Sequence, residues 1–198
     1  MMFMKNWSYA LILIVFIGIL LSSAAMAQTR DYLTDDEIEL VRDAQAIDQR
    51  IDVLTHAIDR RLSVLNLGGT VPTDRGKNSD KWGPLPTGTR SDLLSDINRI
   101  LQKAIDDIDN LAERPDSATL PYEGDKKPKP TSELFPKAVR KLAAAAKRYG
   151  PALEAEQSLT KDAHEKGLIA ASLEMCGDII ASVAKLPAEA VKQKGKDH

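Results

Sequence analysis

The sequence predicts an all-α fold: an antiparallel four-helix bundle or a close variant, preceded by a signal peptide. Three observations carry this. Residues 46–67 write one eleven-residue pattern twice, with Ala46, Ile47, Asp48, Arg50, Val53 and Leu54 answered by Ala57, Ile58, Asp59, Arg61, Val64 and Leu65. Eleven residues over three turns is about 3.67 per turn, close to the natural pitch of an α-helix, so the apolar stripe runs straight. Four stretches in all place apolar residues at helical spacing, and none alternates as a strand does. Gly- and Pro-rich segments separate most of these stretches.

The first 27 residues have the layout of an export signal. Lys5 is the only charge, residues 10–21 are apolar apart from Gly18, and Ala25-Met26-Ala27 offers small residues for cleavage before Gln28. The alternative is an inner-membrane anchor over residues 7–27, long enough for a span of about 20 residues. No Cys follows the apolar run to take a lipid. Cleavage leaves one helical domain over 28–187 and a lysine-rich tail over 188–198, expected to be disordered.

Thr34-Asp35-Asp36-Glu37 reads as a capping box, and the first helix is expected over about 35–66, ended by Gly68-Gly69. Steps of about 100° put Ile47, Ile51, Leu54, Ile58, Leu62 and Leu65 in one stripe. Asp48, Asp52 and Asp59 lie on one flank, Arg50 and Arg61 on the other. Residues 68–88 read as loop, with Trp82 the only Trp after the signal. A second helix over about 91–114 stops before Pro115. Its apolar face includes Leu94, Ile97, Leu101, Ile105 and Ile108. Asp96 and Asp107 stand eleven apart on its flank, as Arg50 and Arg61 do on the first. Antiparallel packing of these helices brings Arg50 to Asp107 and Arg61 to Asp96, which sets helix–helix register; flank pairs of this kind contribute only ~0–1 kcal/mol each. The third helix is expected over about 132–149, with Pro136 in its first turn, and the fourth over about 152–186. Gly150-Pro151 is one place for the break between them, and residues 158–160 the other.

Lys5 is the only charge in residues 1–27, so 26 basic and 29 acidic residues remain after it, a net charge of −3. Nucleic acid is therefore excluded as a partner. The lone cysteine, Cys176, cannot form an internal disulfide and reads as a small buried hydrophobe on the last helix's stripe, with Met175 facing outward. No catalytic, cofactor-binding or metal-ligating set emerges. Position i−3 of His56, His164 and His198 is Val53, Lys161 and Gly195, so the Glu-x-x-His of di-iron bundles is missing. His56 and His164 lie opposite their apolar stripes and point to solvent. No Gly-rich phosphate loop opens a helix, and the paired acids read as solvated faces.

Charge distribution is more informative. Eight basic residues stand between Lys126 and Arg148 against one acid, Glu133. Lys126, Lys127, Lys137, Arg140 and Lys141 thus form a candidate surface for an anionic partner, or they balance acidic neighbours within the fold. Trp82 either packs on the bundle or marks a contact surface. The signal, the doubled Ala-Ile-Asp-x-x-Arg pattern, Asp92-Leu93-Leu94-Ser95-Asp96 and Leu134-Phe135-Pro136-Lys137-Ala138 together resemble small, uncharacterised exported all-helical bacterial proteins. That resemblance implies a helical, exported chain and brings no site residues with it. The expected function is a non-enzymatic binding or scaffolding module, periplasmic or secreted. Its partner would be an envelope protein or an anionic surface, and a membrane only if the signal is uncleaved. A small-ligand or metal carrier with a site between helices is the alternative.

Overall fold

The structure is a computed structural model that describes residues 30–67, 79–113 and 130–187. The signal region, Lys126, Lys127 and the tail lie outside the described residues. Every regular element among the described residues is helical: α1 (Asp35–Asp43), α2 (Ile47–Val64), α3 (Arg90–Glu113), α4 (Thr131–Leu159) and α5 (Ala163–Ser182), with short 3-10 turns at Ser79–Trp82 and Val183–Lys185. They belong to the unit Tyr32–His198.

Where one helix was expected over 35–66, the chain breaks at residues 44–46 and forms two. The capping box at Thr34 is present: Glu37 N donates to Thr34 Oγ1 at 3.3 Å, and Thr34 N to Glu37 Oε2 at 3.0 Å. The break arises from what Glu37 meets. In one straight helix, 23 residues of separation would hold Glu37 about 35 Å from Arg60. After the break α1 folds back along α2, and Arg60 Nη1 donates to Glu37 Oε1 at 2.7 Å. The turn buries Leu33 and lays Ile38 and Val41 on the core. Arg50 Nε donates to the Ala44 carbonyl at 3.1 Å, supplying a partner that the helix end lacks.

The end of α2 also differs from expectation. Asn66 takes the left-handed conformation, with φ 57°, and Gly68-Gly69 lie outside the described residues. Leu67 N donates to Leu62 O at 2.9 Å and Asn66 N to Ser63 O at 3.0 Å, which completes a Schellman motif. Asn tolerates this region better than other side-chain-bearing residues.

Helix directions follow from the ion pairs. Arg50 with Asp107 and Arg61 with Asp96 make α3 antiparallel to α2. Lys137 with Asp48, Lys141 with Asp52 and Arg148 with Asp59 are each 89 residues apart, so α4 runs parallel to α2. This departs from an all-antiparallel arrangement. The acids of one flank of α2 and the bases of α4 occur in the same order along the chain, so only parallel packing matches all three. α4 and α5 are antiparallel, with Arg140 on α4 donating to Pro187 O, beyond the end of α5, at 2.7 Å. The predicted stripe of α2 is buried, with Ile51, Leu54 and Ile58 fully enclosed beside Ile97, Ile100 and Leu101 of α3.

The helix α4 continues through Gly150-Pro151, the first of the two expected places for a break, and ends at Leu159, at the second; the chain turns at residues 160–162. A proline inside a helix costs about 3 kcal/mol. Burying Tyr149 and Leu153 on either side of it offsets that cost, at about 1.5–3 kcal/mol per large apolar side chain. Tyr149 Oη also donates to Thr55 O at 2.9 Å. Asp162 then caps α5 by accepting from Glu165 N at 2.9 Å.

Candidate binding cleft

The residues singled out from sequence fall into three places. The first is the seam between α2 and α3. Arg50 lies 4.0 Å from Asp107 and Arg61 3.4 Å from Asp96. Arg61 and Asp96 are not on a solvated flank, however: they are 1% and 2% exposed. Glu37 and Arg60, neither of them predicted as site residues, complete a buried cluster of two acids and two arginines. Glu37 accepts from Arg60 Nη1 at 2.7 Å and from Arg61 Nη1 and Nη2 at 2.9 and 2.8 Å. The Nη groups also reach backbone carbonyls: Arg60 Nη2 to Gly83 and Pro84 at 3.1 and 2.5 Å, Arg61 Nη1 to Ala57 at 2.8 Å, and Arg61 Nη2 to Tyr32 at 2.6 Å. The guanidiniums are thus committed within the protein, and the arrangement is structural. The sequence signal was Glu37 itself, whose capping role hid its second one.

The second place is the Trp82 segment, which packs against this cluster. The Trp82 ring lies 4.0 Å from His56, tilted by 40°, and the Arg60 guanidinium sits 5.6 Å from its centroid. His56 is therefore half-buried beneath Trp82 rather than pointing to solvent, whereas His164 is exposed. Gly83 has φ 57°, and a Cβ there would stand 1.8 Å from Asp36 Oδ2, so glycine is required for this approach to α1.

The third place is the basic run. Lys137 and Lys141 on α4 pair with Asp48 and Asp52, and Arg148 with Asp59 at 3.0 Å. Arg140 binds the Pro187 carbonyl. These bases therefore face partners inside the protein. Burial pushes the Asp48 carboxyl up, but Lys137 and Lys141 outweigh it and hold its pKa below the ordinary value. At Asp59 burial outweighs Arg148 and the pKa is raised. Burial, reinforced by Asp59, raises Tyr149 well above its usual range. Cys176 is buried and its thiol is pushed up from 9.0 to about 11, which keeps it protonated. Met175 is half-buried against the core instead of facing outward. Among the described residues no three His, Cys, Asp or Glu side chains gather to hold a metal ion.

Opposite the charge cluster, where α3 ends and α4 begins, the helices leave a cleft of about 370 Å³. Ile105 and Ile108 of α3, Phe135, Val139 and Leu142 of α4, and Leu186 after the 3-10 turn form most of its wall; Ile179 of α5 completes it. Asp109, Asp178, Ser182 and Lys185 supply its polar groups. The volume is at the low end of small-molecule sites, about 300–1,000 Å³, and the balance of apolar wall to few polar groups is typical of them. The apolar character of these residues was legible as helix stripes; the gap between them was not.

α5 with its following turn, Ala163–Lys185, contains an 18-residue window with a mean hydropathy of 1.5, long and apolar enough to cross a membrane, and 22% of that window is buried in the fold. Compared with known proteins, the chain matches no family model, no curated protein and no solved structure.

Proposed function

We propose that this chain is an exported, non-enzymatic four-helix-bundle protein that binds a small, largely apolar molecule in the cleft between α3, α4 and α5. The observation that carries this reading is the cleft itself: apolar side chains from three helices surround about 370 Å³ that the chain's described side chains leave open. Export rests on the layout of residues 1–27. Binding is favoured over scaffolding for an anionic partner because Lys137, Lys141 and Arg148, three of the eight bases of the run, face acids of α2.

Isothermal titration calorimetry of the full chain with octyl glucoside, kept below micelle formation, tests the reading. Saturable one-to-one binding is expected, with a dissociation constant on the order of 0.1–1 mM for an eight-carbon tail after the cost of association. Ser182→Phe, which fills the mouth from a half-buried position, should abolish it. No saturable heat, or equal binding by Ser182→Phe, would reject the cleft as the site.

A further inference from the structure

Resting on that reading, we infer that the ligand is a single-tailed amphiphile with a positively charged head, an alkyl or arylalkyl amine or quaternary ammonium, its tail against Ile108, Phe135 and Val139 and its head between Asp109 and Asp178. The wall and the rim of the cleft point to different chemistry. Apart from Ser182, whose hydroxyl donates to the Ile179 carbonyl at 2.7 Å, the less exposed lining is apolar, so the enclosed part of the ligand is hydrocarbon. The rim offers two carboxylates from different helices, Asp109 on α3 and Asp178 on α5, against one ammonium, Lys185. Both aspartates are exposed and make no ion pair among the described residues. The acids on the seams of α2 and α3 differ: Asp48, Asp52, Asp59, Asp96 and Asp107 each face a Lys or Arg. An anionic head would meet a net negative rim, and a neutral head would gain nothing from it. A cationic head leaves its tail in the apolar wall and places its charge where the field is favourable.

Calorimetry of the full chain with octyltrimethylammonium, octyl glucoside and octyl sulfate, each below micelle formation, reads head-group preference at constant tail. The cation should bind about tenfold more tightly than the glucoside, as two partly exposed charge contacts allow, and the sulfate more weakly still. The preference should shrink as salt is raised. Asp109→Asn with Asp178→Asn, both at exposed positions, should bring the cation to the glucoside's affinity and leave the glucoside unchanged. Equal binding of cation and glucoside, or tightest binding of the sulfate, overturns the head-group inference while the cleft stands. Absence of binding by all three removes the cleft as a site and this inference with it.

Discussion

Where α2 finishes and α3 begins, Glu37, Arg60, Arg61 and Asp96 are all 3% exposed or less, and the Nη groups of both arginines have partners. Where α3 finishes and α4 begins, Ile105, Phe135 and Leu186 stay half exposed around an open cleft. The difference follows from what each end tolerates. A buried charge left without its partner costs about 3–5 kcal/mol, so the charged end has to be complete. A half-exposed Leu or Ile forgoes only about 1 kcal/mol of burial, so the apolar end can stay open. The closed end fixes α1 and the Trp82 segment; the open end has room for another molecule.

Removing Glu37 should have the largest effect, because it breaks the closed end where completeness matters most. Glu37→Ala leaves Arg60 and Arg61 buried without their shared carboxylate and should destabilise the protein by about 3–5 kcal/mol, read by urea denaturation. A loss below about 1 kcal/mol would mean that water replaces the carboxylate and that this end is not closed.

The seam joining the two ends gives a smaller, pH-dependent effect of opposite sign at its two termini. Asp48, near the cleft, has a lowered folded pKa, so its stabilisation is present above its ordinary value of 3.8 and is lost as pH falls through the folded value. Asp59, towards the charge cluster, has a raised one, so its contribution is full below 3.8 and is lost as pH rises through the folded value. Asp48→Asn should therefore cost about 1.5–3 kcal/mol at neutral pH and flatten the acid limb of the stability profile. Asp59→Asn should cost little at neutral pH and more in acid. Matching profiles for the two variants would contradict the assigned environments.

The smallest effect belongs to neither end. Gly167 and Gly177 sit inside α5 on its exposed side, and a Cβ at either would meet nothing within 4 Å. Gly167→Ala and Gly177→Ala should each stabilise by about 0.5–1 kcal/mol in thermal melts, through helix propensity and a less flexible unfolded chain. Destabilisation would show that α5 packs more closely than this fold describes.

The closed end and the open end were unequally legible in the sequence. Helical periodicity marked Ile51, Leu54 and Ile58 as core because their spacing is a local property. The break between α1 and α2 left no local mark: Ala44, Gln45 and Ala46 all suit a helix, and the turn is set by Glu37 meeting arginines more than twenty residues away. At Gly150-Pro151 the local signal pointed the wrong way, since two breakers were overridden by the packing of Tyr149 and Leu153. The basic run was visible, but its partners were not, because a parallel pairing 89 residues distant requires knowing the helix order. A cleft is a missing contact, which no residue pattern encodes.

On the proposed reading, the open end takes a ligand and the closed end does not. Methyl-labelled isoleucine NMR during titration with octyltrimethylammonium reports on both at once. Ile105, Ile108 and Ile179 should shift in a saturable, one-to-one manner, while Ile58 and Ile97, buried in the core away from the cleft wall, stay in place. No shift at the cleft isoleucines, or equal shifts in both groups, would contradict it.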